Sequence, residues 1–237
     1  MQTDMTVGKP MKMLLNFTIP VFLGNVFQQL YSMADAVIVG KFVGTKGLAA
    51  VGATGTITFL IIGFLMGVTT GVTVLTSQKF GAGRMDEMRK TVGNAAILSA
   101  VIAVVMTAVS MLGMHRLLVF MHTPEDIFDG AYGYIMIICA GIFTQVLYNL
   151  VSSILRALGN SKTPLYFLIL AAGLNIVLDL VFIIFFHWGA PGAAWATVIS
   201  QGVSGFLCLI YMWKAVPELK MKKEDWYFNR DIAVKQI

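Results

Sequence analysis

Six apolar runs, at about 14–39, 48–76, 92–114, 132–155, 164–187 and 193–213, occupy most of this 237-residue sequence. Each reaches the roughly 20 residues that an α-helix needs to cross a bilayer. Backbone amides in hydrocarbon find no water to bond. A spanning segment is therefore either a helix or a strand of a closed barrel. Barrel strands alternate apolar and polar residues over about ten positions, and these runs do not alternate. The runs predict an all-α fold: a polytopic membrane protein with a six-transmembrane-helix bundle over residues 1–213 and a charged tail over 214–237.

Composition agrees with that expectation. Hydrophobic residues make up 57% and charged residues 12%, against roughly 45–50% and about 25% in globular proteins. So few charges cannot coat a water-exposed surface, which argues against a soluble enzyme and against disorder. Cys139 and Cys208 lie inside apolar runs and read as buried side chains, not as a disulfide or metal framework. No Walker motif, dinucleotide fingerprint or nucleophile elbow is present. The sequence therefore predicts no cofactor, no ATP and no enzymatic chemistry, and any transport would be driven by ions.

The net charge of +5 does not point to nucleic acid, because the basic residues are sorted by side. Lys41, Lys46 and Arg116 fall in the segments of one face. The other 14 of the 17 fall on the opposite face: Lys9 and Lys12 at the start, Lys79, Arg84, Arg89 and Lys90 in the second loop, Arg156 and Lys162 in the fourth, and Lys214, Lys220, Lys222, Lys223, Arg230 and Lys235 in the tail. The positive-inside rule then puts both termini in the cytoplasm. The first run is too long for a signal-peptide core and neither end carries a lipidation motif, so a cytoplasmic or inner membrane is the expected home. With Trp226 and Tyr227 among its basic residues, the tail reads as an interfacial anchor on membrane lipid. The loops carry turn chemistry: Gly81-Ala82-Gly83-Arg84, then Thr123-Pro124-Glu125-Asp126 with Thr123 as N-cap, then Gly159 to Pro164, then Gly189 to Gly192.

Of the 12 acids, only Asp35 and Asp179 lie within spans, and no Lys or Arg sits centrally in a span to neutralise them. Each costs about 2.5–3.5 kcal/mol on insertion scales, so a carboxyl group there is a functional hypothesis by default. In hydrocarbon the neutral form is favoured, so such an acid can take up a proton. Ionised, it can hold Na⁺ together with neighbouring oxygens. Both acids belong to the outer half of the bilayer. Asn175 and Asp179 are four residues apart and share a helix face, as do Tyr31 and Asp35. Thr197 lies at similar depth. With Gln28 and Asn149, these positions predict a polar cavity among the first, fourth, fifth and sixth spans. Gln28 and Asn149 serve equally well as interhelical glue. Pro20 interrupts the first span and reads as a hinge or as a static kink.

Gly63, Gly67 and Gly71 form a small-residue stripe that predicts close helix contact. His115, His122 and His187 lie near span ends and are assigned no role. Gly47-Leu48-Ala49-Ala50 and Gly192-Ala193-Ala194 open two spans in related fashion.

Taken in order, these pieces resemble the N-terminal half of a transporter of the multidrug and toxic compound extrusion (MATE) family. The resemblance runs through Ile19-Pro20, Met33-Ala34-Asp35, Val39-Gly40, Gly47 to Ala50, Gly81 to Arg84, Arg156 to Pro164, Asn175 to Asp179 and Gly192 to Thr197. It covers essentially the whole chain and is most similar to the DNA-damage-inducible branch. The resemblance implies one lobe of a twelve-helix antiporter that expels cationic, drug-like amphiphiles in exchange for H⁺ or Na⁺. It implies that Asp35, Asn175 and Asp179 belong to the amino-lobe cation site, with Thr197 and Tyr31 beside them. It implies a hinge at Pro20. Such a chain would work with a second, C-terminal lobe or as a homodimer. A flippase of lipid-linked sugars, from the same superfamily, and a non-transporting membrane fragment or scaffold are the alternatives. The flippase would need a basic central cavity.

Overall fold

A computed structural model describes residues 10–221 and 223–236. Of the basic residues counted above, Lys9 and Lys222 lie outside the described residues, and so do the side chains of Lys223 and Lys235. The chain is a helical bundle: α1 Pro10–Phe42, α2 Thr45–Gly81, α3 Met85–Phe120, α4 Glu125–Ala140, α5 Ile142–Ala157, α6 Lys162–Leu180, α7 Gly189–Ala215 and α8 Arg230–Gln236. Five of these are single helices long and apolar enough to span a bilayer, and α4 with α5 makes a sixth. The helices end where the sequence allows the backbone to turn. Gly44 has φ 92° and Gly159 has φ 79°, both in the left-handed region that costs glycine least. After α5 the Asn160 carboxamide oxygen accepts the Thr163 N–H at 3.1 Å, so the chain reverses directly into α6. The expected cap at Thr123 is shifted. α4 starts at Glu125 with Pro124 as its flanking residue, and no side chain caps it.

Helix α7 is the axis of the lobe. It packs against α4, α5 and α6, while α1 leans chiefly on α6. Half of the most apolar window of α7 is buried against 11% for α1, so α1 is the peripheral element. Two apolar cores lie in opposite halves. One gathers Val39, Leu118, Ile135, Ile142 and Ala194. The other gathers Val72, Met88, Ile154, Leu155 and Leu158. Large apolar side chains such as Phe59, Leu112 and Phe185 point outward, a pattern that water would not tolerate over so wide a surface and a bilayer does.

The fourth expected span, 132–155, is two helices meeting at Gly141 with a bend of 46°. A β-carbon at Gly141 would run into the Val198 side chain of α7, so only glycine lets the corner approach that closely. Thr144 turns its hydroxyl onto the Gly141 carbonyl at 2.8 Å. The stripe at Gly63 and Gly67 makes no close helix contact: a β-carbon at either would meet no atom of another described element within 4 Å. Close approach occurs instead on α7, where a β-carbon at Gly202 would lie 3.2 Å from the Thr144 side chain and one at Gly205 would lie 3.2 Å from the Tyr148 backbone. Gly71, the third member of the stripe, abuts the Gln236 carbonyl.

That last contact belongs to the tail, which packs on the lobe. Beyond α7, turns at Pro217–Leu219 and Lys223–Trp226 lead into α8, and the segment lies against α2 and α3. Val216, Leu219, Asp225, Ala233 and Gln236 are buried there. The Gln236 amide donates to the Thr91 carbonyl at 2.8 Å and accepts from Asn94 at 3.3 Å, while Asn94 accepts the Asn229 N–H at 3.0 Å. Trp226 and Tyr227 stay exposed.

Candidate functional site

Three helices bring the intramembrane acids together. On α1, Tyr31 and Asp35 stand one turn apart. On α6, Asn175 and Asp179 do the same. On α7, Thr197 and Gln201 repeat the spacing. The pairing of α1 with α6 and of α6 with α7 lets the three faces converge. The Asp35 and Asp179 carboxyl groups meet at hydrogen-bonding range. Asn175 donates its amide to the Thr197 hydroxyl at 3.4 Å. The Tyr31 hydroxyl hydrogen-bonds to Thr197 and Gln201. Asp179 and Asn175 are fully buried and Asp35 is 8% exposed. Immediately after Asp179 the helix widens into a π turn, Val181–Phe185, with the Phe186 N–H reaching the Val181 carbonyl at 3.1 Å. Such widenings are frequent at functional positions.

The cluster is rich in acceptors and poor in donors. Among the described residues, Asp35 Oδ1, both Asp179 carboxyl oxygens and Asn175 Oδ1 are buried and receive no hydrogen bond from a protein donor. An ionised carboxylate only accepts, so two of them facing each other cannot satisfy one another. A single proton shared between them, or one small cation, resolves the mismatch. No described Lys, Arg or His makes an ion pair with either acid.

The remaining sequence-predicted residues lie elsewhere. Gln28, Asn149 and Pro20 line a separate cavity of about 370 Å³, near the ends where α1 starts, α2 finishes and α5 passes into α6. The single polar cavity read from the sequence is thus two adjoining polar regions. Gln201 belongs to both, since it hydrogen-bonds Tyr31 and lines the cavity wall. Pro20 is buried within an unbroken α1.

Sequence reasoning passed over three residues. Gln201 sits four after Thr197, so helical spacing alone could have found it. Tyr134 on α4 is 7% exposed and neighbours Tyr31, Asp35 and Asp179. It carried no signal, because tyrosine in an apolar run reads as packing. Arg156 reads as a loop charge in the sequence, yet it lines the cavity.

The MatE family model matches residues 20–181. The chain belongs to the MatE family. A similar MatE relative is the probable multidrug resistance protein YpnP of Bacillus subtilis, 33% identical over 211 residues, which are 89% of this chain and 47% of that protein. DNA damage-inducible protein F of Escherichia coli is 25% identical over 245 residues, covering 95% of this chain and 52% of its own length. Among solved structures, an outward-facing multidrug resistance MATE family transporter superposes with a TM-score of 0.90 at 28% identity, covering 97% of this chain and 51% of that one. The chain spans about half the length of the relatives it matches. MatE membership identifies a multi-pass membrane protein of a transporter family, not an enzyme.

Proposed function

We propose that this chain is one lobe of an ion-coupled exporter of amphipathic, cationic compounds. Asp35 and Asp179 hold the coupling ion, H⁺ or Na⁺, with Asn175, Thr197 and Tyr31 as accompanying oxygen donors. The observation that carries the reading is the set of buried carboxyl and amide oxygens that no protein donor satisfies. When the ion is bound, the facing carboxyl groups are bridged and α1 is held against α6. When it leaves, two like charges confront each other in a low-dielectric site, which favours their separation. Because α1 is the least buried span, it is the element that yields. Pro20 removes one backbone hydrogen bond from that helix and lowers the cost of bending it. Ion binding thereby biases an equilibrium between two helix arrangements. One charge crossing 100 mV supplies about 2.3 kcal/mol to that bias.

Substrate would enter the cavity bearing Gln28 and Asn149, next to the acid cluster through Gln201. A further six-helix lobe supplies the opposite wall; the doubled length of the relatives favours a covalent second lobe over a homodimer. The multidrug names of YpnP and of the outward-facing transporter give no support to a sugar-lipid flippase or an inert scaffold.

The test is ethidium efflux from energised vesicles carrying the transporter with both lobes. Asp35→Asn and Asp179→Asn should each abolish ion-dependent efflux. Efflux at the unaltered rate in both variants would exclude the carboxyl pair as the coupling site.

A further inference from the structure

The 370 Å³ cavity has a wall of unexpected charge. Among the described residues that line it there is no Asp, Glu, Lys or His, and Arg156 is its sole ionised side chain. Arg156 stands in the last turn of α5, half-buried, and makes no ion pair with any described carboxylate. A guanidinium has five N–H donors. Among the described residues, one protein acceptor is found for this one, Ser153 Oγ at 3.1 Å. Asn25, Gln28 and Gln145 add amide groups to the same wall, and Phe17, Ile62 and Leu165 add apolar surface. The acid pair does not line this space; Gln201 stands between.

We propose that this cavity binds the oxyanion of an amphiphile, a carboxylate, sulfonate or phosphate ester, through Arg156. A planar guanidinium offers a two-pronged fork to such a group. Partial exclusion of water strengthens the pairing, and the neutral amides hold the flanking polar atoms without competing for charge. The apolar residues take the ring or chain. This rests on the assignment of this cavity to substrate but not on the Asp35–Asp179 pair, so its failure and the failure of the ion-coupled reading are distinguishable. It adds an acidic group to the chemistry of the compounds this lobe admits. The oxyanion can belong to a soluble amphiphile or to the headgroup of an acidic lipid.

The experiment is equilibrium dialysis of the 237-residue chain, purified in a neutral maltoside detergent, against 2-naphthoate and 2-naphthamide. These probes share a ring system and differ in charge. The chain should bind naphthoate roughly tenfold tighter, the factor a charge-assisted hydrogen bond confers. Arg156→Gln should remove that preference and leave naphthamide binding unchanged. Equal binding of the two probes, or a preference that survives in Arg156→Gln, would overturn the proposal. A merely structural arginine would shift both probes together. A second readout needs no variant: phenylglyoxal modification of Arg156, followed by mass spectrometry, should be slowed by naphthoate and not by naphthamide. Equal rates with both probes would also overturn it. Added phosphatidylglycerol separates the sources: competition with naphthoate assigns the site to a lipid headgroup, and unaltered naphthoate binding assigns it to a soluble oxyanion.

Discussion

Asp35 on α1 and Asp179 on α6 turn their carboxyl groups toward each other at hydrogen-bonding range, inside a span and away from any described cation. The arrangement is unstable as two carboxylates and stable as one carboxylate with one carboxylic acid, or with an ion between them. Most of the surrounding hydrogen-bonding capacity is acceptor, so the protein itself does not relieve the mismatch.

Replacing one member of the pair should therefore stabilise the chain. Asp35→Asn keeps the shape, removes one charge and presents an N–H to Asp179. A hydrogen bond to a charged group contributes about 1.5–3 kcal/mol. The melting temperature in detergent at alkaline pH should rise by roughly 3–12 °C, at about 2–4 °C per kcal/mol. The gap should narrow as pH falls, because the natural pair then takes up its own proton. Scanning fluorimetry measures both. A variant that melts lower than the natural chain at alkaline pH would show that the two carboxyls do not repel.

Asn94 should control whether the tail stays docked. It is fully buried, accepts the Asn229 N–H and donates to Gln236. Asn94→Leu removes the donor to the buried Gln236 carboxamide oxygen, at about 1–3 kcal/mol. Hydrogen exchange across residues 229–236 should accelerate about tenfold for each 1.4 kcal/mol lost. Trypsin should also cut faster after the exposed Lys220 and Arg230. Unaltered exchange and cleavage would mean that the hydrogen bonds to Asn94 do not hold the tail.

The helices and the acid pair were legible in the sequence for one reason: hydrocarbon penalises polar groups so heavily that both apolar runs and stray carboxyls stand out. The rest was hidden where that penalty gives no contrast. The bend at Gly141 falls within an apolar stretch, and it is set by the Val198 side chain of another helix. Gly63, Gly67 and Gly71 show only that a backbone can be approached, and two of them face open space. A basic, aromatic tail has the same composition whether it lies on lipid or folds over α3. Arg156 looks like a loop charge because it is near a helix end, and only the packing of α1 and α2 turns its side chain into a cavity wall.

Gly141→Ala should destabilise the lobe through one identifiable collision. The added methyl meets the Val198 side chain, and overpacking of this kind costs about 1–3 kcal/mol. The backbone φ of −83° suits alanine, so steric crowding is the whole effect. The double variant Gly141→Ala/Val198→Ala removes the obstructing methyls and should recover most of the lost stability. The two melting temperatures, taken with that of Val198→Ala alone, complete a double-mutant cycle. Additive losses would show that the corner of α4 and α5 does not press on α7.

The sorting of basic residues predicts which way the lobe faces, and single cysteines can read it. Cys139 and Cys208 are fully buried, so a maleimide reagent has little native background. Asp126 lies at the α3–α4 end, with 56% of its side chain exposed beside Lys46. Lys162, at the start of α6, is exposed at the opposite end. In intact cells expressing the chain, a membrane-impermeant maleimide should label Asp126→Cys, and should label Lys162→Cys only after permeabilisation. The charge sorting favours this orientation because cytoplasmic segments retain Lys and Arg during insertion. The reverse labelling pattern would place the α5–α6 turn outside the cell and with it the mouth of the Arg156 cavity.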